Sequence, residues 1–170
     1  MIFSRKIADI QHAGITFWVI RSHKAKPNIV QDICRKVCAT PETPFCGFLA
    51  PSSPGGAMPT KIAETAVEFS EDQEDWKPMP KGITPVTGKM TTGTCALVFD
   101  DLHLLSSATV DLWQYADFHH QDKPVKIRQG ASSLGVVFMD TSGHPEKMKS
   151  RFRQVMAVGR LAYPYAVWLK

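Results

Sequence analysis

The sequence predicts an α+β fold, one antiparallel sheet with two main helices packed against it in a single domain. Three observations lead there. Compact apolar runs rich in strand formers stand at Ile15–Ile20, Thr92–Phe99 and Ser133–Met139. Two stretches, near 28–39 and 105–119, repeat apolar residues at steps of three and four, the mark of one helical face. At 170 residues the chain suits one domain with a core that needs neither metal nor disulfide.

Taken in order, residues 1–13 mix apolar and charged positions and fit either a short helix or a mobile arm. Ile15-Thr16-Phe17-Trp18-Val19-Ile20 is a strand, followed by a basic connection through Arg21, His23, Lys24 and Lys26. Pro27 suits the first turn of a helix, with Ile29, Ile33 and Val37 behind it and an end near Ala39. Phe45 to Ala50 is a short strand. Pro51 to Pro59 holds three prolines and two adjacent glycines, which break both helix and sheet ladders, yet its Ala57-Met58 tip is apolar. Lys61 to Ser70 alternates loosely as a strand, and 71–91, acidic and then proline-rich, reads as an extended surface linker.

The central unit runs from Thr92 to Asp140. A strand closes on an acidic turn, Asp100-Asp101, and a helix follows with Leu105, Ala108, Leu112 and Ala116 on one face. Ser106 or Ser107 is placed to cap that helix. A basic link through Lys123, Lys126 and Arg128 leads into the strand at 133–139. Beyond a turn at Thr141-Ser-Gly, the interval from His144 to Arg153 fits a helix slightly better than a strand, and Leu161 to Leu169 fits a last strand. The domain reading is therefore an arm at 1–13, a globular domain at 14–142, and a basic C-terminal extension at 143–170 packed on it.

Composition narrows the function. Apolar residues at 44 % and charged residues at 21 % are those of a soluble globular protein. No apolar run approaches the roughly eighteen residues of a membrane span, and no secretory leader opens the chain. Cys34, Cys38, Cys46 and Cys95 are few and irregularly spaced, so they read as reduced thiols in an intracellular protein. No paired Cys-x-x-Cys, Gly-x-Ser-x-Gly or phosphate-cradling loop is present, so neither a metal centre nor an enzyme is expected. Asp100, Asp101 and His103 have no nucleophile in a defining context.

Charge is the informative feature. The net +4 divides into seven Lys/Arg against three acids in residues 1–60, four against eleven in 61–122, and nine against two in 123–170. Such a dipolar molecule can meet a polyanion with one face and a copy of itself with another. The best interaction candidates are Lys123, Lys126 and Arg128 with Lys147, Lys149, Arg151 and Arg153, a clustering that contact with phosphates or anionic headgroups requires. The plain alternative, solvated surface lysines, stands beside it. No aromatic ribonucleoprotein motif or zinc finger accompanies these residues, which argues against sequence-specific reading of nucleic acid.

In order and spacing the chain resembles the matrix proteins of rhabdoviruses over residues 14–142. The resemblance is carried by Ile15-Thr-Phe-Trp-Val-Ile-Arg-Ser-His-Lys24, by Gly47-Phe-Leu-Ala-Pro-Ser-Ser53, and by Gly93-Thr-Cys-Ala-Leu-Val-Phe-Asp-Asp101. Leu105, Ala108 and Trp113, then Phe118 through Leu134-Gly135-Val-Val-Phe138, complete it. The chain departs from the family in having only Arg5 and Lys6 in place of a lysine-rich tail, and in lacking a Pro-Pro-x-Tyr motif. The resemblance implies a structural protein of the virion, the host cytoplasm and the inner face of host membranes, and the departures suit a divergent, plant-infecting member. It would self-assemble, coat and condense the helical nucleocapsid, and contact an anionic membrane surface during budding. It implies no cofactor and no small-molecule substrate. It also implies that Ala57 and Met58 form a self-association or membrane loop. Two rival readings are a small viral capsid or movement-type protein built mainly of strands, and a monomeric RNA-binding module.

Overall fold

A computed structural model describes residues 2–20, 26–36, 46–49, 64–88, 90, 94–111, 115–117, 137–139 and 152–170. The elements are α1 (Ile2–Ala13), β1 (Thr16–Ile20), α2 (Pro27–Lys36), β2 (Cys46–Leu49), β3 (Glu64–Thr65), β4 (Glu68–Ser70) and β5 (Trp76–Pro78). They continue with β6 (Thr87–Gly88), β7 (Cys95–Asp111), β8 (Tyr115–Asp117), β9 (Val137–Met139) and β10 (Phe152–Leu169). The main sheet has six strands in the order β1-β7-β10-β4-β5, with β2 also on β10, and every pairing within it is antiparallel. Two small antiparallel pairs, β3 with β6 and β8 with β9, lie outside it. The α+β class and the antiparallel sheet with two helices against it are as the sequence predicts.

The period-2 alternation of strand side chains splits the sheet into two cores. Cys95, Leu97 and Phe99 of β7 pack with Val30 and Cys34 of α2, and Trp18, Ile20 and Ile10 lean on that cluster. The intervening Ala96 and Val98 face the other way, against Phe17, Val167 and Leu169. That second face is covered by Ala66, Val86, Phe69, Met79, Ile83 and Met90. The interval expected to be a surface linker, 71–91, is thus one wall of the core and contributes β5 and β6. Its prolines fit because β5 is an edge strand, where Pro78 forfeits no ladder bond that the sheet needs.

α1 is a helix rather than an arm, and it ends for a local reason: Gly14 has φ +78°, and its N–H donates to the Ile10 carbonyl at 2.8 Å, an αL cap. α2 starts at Pro27 as expected, but its inward face is Val30, Gln31, Ile33 and Cys34, while Ile29 is exposed. The Gln31 amide fastens it, donating to the Ala166 carbonyl at 2.8 Å and the Glu71 carbonyl at 3.0 Å.

The largest correction concerns 105–119. No helix forms at 105–111. β7 continues unbroken to Asp111, with Val110 opposite Arg153 and Ala108 opposite Val155, and β8 follows at 115–117. The three- and four-residue spacing is real, but so is the β-branched and serine-rich content, and pairing with β10 outweighs the weak helical preference. Ser106 and Ser107 are therefore strand residues and not caps, and Asp100-Asp101 lies inside a strand rather than at a turn. The same pairing overturns the C-terminal end of the expected 144–153 helix, because Phe152 and Arg153 open β10. Residues 144–151 lie outside the described residues.

Three irregularities shape the β7–β10 ribbon. Val155 lies opposite Ala108 and Ala157 opposite Leu104, so three residues of β7, 105–107, face one of β10. Arg160 lies opposite Asp101 and Leu161 opposite Phe99, so Asp100 is an extra residue in β7. Leu161 lies opposite Phe99 and Ala166 opposite Leu97, so residues 162–165 bulge from β10. A proline within a strand pattern, here Pro164, is the sequence sign of such an interruption.

Candidate interaction surface

The C-terminal strand and the acidic middle of the chain meet in the folded protein. Arg160 Nε donates to Asp100 Oδ1 at 2.7 Å, which anchors the bulged aspartate. Lys170 Nζ reaches Glu68 Oε2 at 2.7 Å and also sits 4.7 Å from the Trp76 ring centre. Tyr163, at 68 % exposure the most open of the large apolar side chains described, donates its hydroxyl to Glu71 Oε2 at 3.2 Å. Lys77 lies between Glu71 and Asp75 at 3.6 and 3.9 Å. Acid-to-base complementarity between the middle and end of the chain is therefore used, in these pairs, inside one molecule.

The acidic turn at 71–75 is organised by one carboxylate. Asp72 Oδ1 accepts from the backbone N–H of Glu74 at 2.8 Å and of Asp75 at 3.0 Å, and from the Ser70 hydroxyl at 2.9 Å. The Asp75 amide, then the Glu74 amide, then that hydroxyl hold its carboxyl below the usual carboxylate range. Negative charge at this turn persists where an ordinary aspartate would be protonated.

Ile7, Ile10 and Gln11 of α1 and Asp101 to Leu104 of β7 line a cleft of about 340 Å³. Leu104 at its rim is 52 % exposed, and His103 Nε2 lies 2.9 Å from Asp101 Oδ2.

Of the basic residues singled out in the sequence, Arg153 has its backbone in β10 opposite Val110. Lys123, Lys126, Arg128, Lys147, Lys149 and Arg151 lie outside the described residues, as do Ala57 and Met58. Sequence reasoning missed the pairs made by Arg160 and Lys170, because nothing local in the sequence marks partners 60 and 102 positions away. It also missed a buried polar centre at Asp9, whose one local sign is Lys6 three positions earlier on the helix.

Cys34 and Cys95 are buried thiols in one apolar cluster, and burial pushes each up to about 12. The thiolate is the reactive form, so at neutral pH neither should react with a thiol reagent in the native chain. Both should react once the chain is unfolded, which mass spectrometry of labelled peptides reads directly. Among the described residues no group of three His, Cys, Asp or Glu side chains is placed to hold a metal ion. Among them, too, no helix is long and apolar enough to cross a membrane.

No family model, curated protein or solved structure matches this chain.

Proposed function

We propose that this is a self-assembling structural protein of the viral matrix type, which coats and condenses a helical nucleocapsid and links it to the inner, anionic face of a membrane. In this reading it performs no chemistry on a small molecule. The observation that carries it is the segregation of charge. Of the nine Lys/Arg in residues 123–170, Arg160 and Lys170 pair with Asp100 and Glu68 of the same chain. The other seven, Lys123, Lys126, Arg128, Lys147, Lys149, Arg151 and Arg153, are concentrated in a stretch of about thirty residues that holds two acids. Such a segment attracts a polyanion without reading its sequence, and many weak sites in an array sum to firm attachment.

The strand at 105–111 adds weight to one alternative, a capsid or movement-type protein, since it makes the chain richer in sheet than the matrix resemblance implies. Membrane attachment separates the two. The matrix reading expects flotation with vesicles containing an acidic phospholipid and with ribonucleoprotein, both falling steeply as salt rises. Reversing the charge of Lys147, Lys149, Arg151 and Arg153 together should abolish both. Assembly with ribonucleoprotein but none with vesicles would favour the capsid reading. A chain that ignores both, and stays monomeric when concentrated at low salt, would refute the proposal.

A further inference from the structure

The bulge in β10 carries a tyrosine outside the ladder. Between the Leu161–Phe99 and Ala166–Leu97 pairs, four residues of β10, 162–165, face one of β7, Val98. Their sequence is Ala-Tyr-Pro-Tyr. Tyr163 is exposed there, while Tyr165 is half-buried and leans on the cluster of Val30, Cys34 and Phe99. The two rings meet edge-on, with 6.0 Å between their centres. Tyr165 has φ +71°, a left-handed conformation that a bulky side chain rarely adopts. Strain of that kind persists where the surroundings hold it. Here the hold includes Gln31, buried on α2, whose amide donates to the carbonyl of Ala166 at the foot of the bulge and to the carbonyl of Glu71. The side chain of the same Glu71 accepts from the Tyr163 hydroxyl at 3.2 Å, longer than the usual O–H···O bond, and its other oxygen lies 3.6 Å from Lys77. Bulge, acidic turn and α2 are thus joined through one glutamate, and the bond from Tyr163 is the link that faces solvent.

We infer that Tyr163 is a site of tyrosine phosphorylation, and that the phosphate opens this latch. The transfer forms a bond from Tyr163 Oη to the γ-phosphorus of a nucleoside triphosphate and breaks the bond from that phosphorus to its bridging oxygen. The nucleoside diphosphate leaves, and the phenol proton passes to the carboxylate base of the kinase. The phosphate ester brings nearly two negative charges to a carboxylate in a turn that also holds Asp72, Glu74 and Asp75. The hydroxyl donor is lost and like charges repel. Lys77, which lies between Glu71 and Asp75, gains a stronger anionic partner in the phosphate. The turn is then released from the bulge. Tyr165, two positions along the same segment, serves as an internal control because its ring packs on the core. The inference concerns this latch alone and is independent of the assembly reading.

The test treats the full chain with a broad-specificity tyrosine kinase and magnesium ATP, and reads the sites by fragmentation of its peptides. Tyr115, Tyr163 and Tyr165 are the three tyrosines of the chain. Tyr163 should carry most of the phosphate. In the phosphorylated chain the amides of Gln73, Glu74 and Asp75, held by the Ser70 and Asp72 side chains, should exchange about two- to fivefold faster, the worth of an exposed charge interaction. Amides of 16–20, on the opposite edge strand of the sheet, should not change. Tyr163→Phe should lose the uptake, and treatment with the kinase should leave its exchange as it was. Tyr163→Glu, which needs no enzyme, should reproduce the faster exchange at 73–75. Phosphate absent from the chain, or found on Tyr115 or Tyr165 in equal or greater amount than on Tyr163, would overturn the assignment of the site. Phosphate on Tyr163 with exchange at 73–75 unchanged would overturn the latch. Neither result bears on whether the chain assembles.

Discussion

Gly159→Ala should lower the stability of the folded chain by about 2–3 kcal/mol, the upper part of the range for overpacking a core. A Cβ at this position would stand 2.5 and 2.7 Å from two carbons of the Phe99 ring and 3.0 Å from the Asp101 carbonyl oxygen. Ordinary carbon contacts lie at about 3.5–4.0 Å. The ring has nowhere to go, because Phe99 is 0 % exposed and packs among Val30, Cys34, Leu97 and Leu161. The strand cannot retreat either, since Gly159 is paired with Leu102 on one side and Gly47 on the other. A urea titration should show a lowered midpoint with an unchanged slope, the sign of lost stability without a change in the unfolded state. Phe99→Leu should cost stability alone, yet the double variant should be more stable than the two losses predict, because the smaller side chain removes the clash. Strict additivity of the two would mean that the ring does not lie over this glycine.

That contact also shows where legibility in the sequence ends. Phe99 is readable as a core residue, because it closes an apolar run of strand formers and alternates with Ala96 and Val98. That it lies over Gly159 depends on a pairing across 60 residues, and no local pattern records it. The strand at Thr16–Ile20, the helix opening at Pro27 and the strand ending at Leu169 were legible for the same local reasons. The segment after Asp101 was not. Its apolar spacing matches a helix and its β-branched and small polar residues match a strand, and the decision is made by β10, whose residues come forty and more positions later. Likewise 71–91 reads as a linker from its acids and prolines, while Val86 buries itself on the far face of the sheet. At the candidate surface, charge segregation was visible in the sequence. The in-chain pairs of Arg160 with Asp100 and of Lys170 with Glu68 were not, since ion pairing is a property of tertiary proximity.

Asp9→Ala should destabilise the chain by about 3–5 kcal/mol, the cost of removing one partner from a buried ion pair. Asp9 joins three parts of the fold. Its Oδ2 accepts from the Thr16 hydroxyl at 2.8 Å, and its Oδ1 accepts from the Thr84 N–H at 2.7 Å and the Thr84 hydroxyl at 2.9 Å. Lys6 Nζ lies 3.7 Å from Oδ2, with Lys6 5 % and Asp9 4 % exposed. Truncation leaves three donors and an ammonium without their acceptor in the interior. Lys6→Met with Asp9→Leu should recover much of the loss, because apolar replacement of a buried pair is often neutral or better. The pH dependence follows from Lys6. Burial lowers its amine below the usual 10.5, and the nearby carboxylate of Asp9 offsets part of that shift. Between the folded and unfolded values the unfolded chain binds more protons, so this group's effect on stability improves as pH rises through that window. Asp9→Ala removes the offset and widens the window downward. Its deficit relative to the unmodified chain should therefore shrink as urea midpoints are followed into the alkaline range, and Lys6→Met should abolish that trend. A deficit that stays constant with pH would mean that the lost Thr16 and Thr84 bonds, and not the stranded ammonium, account for the cost.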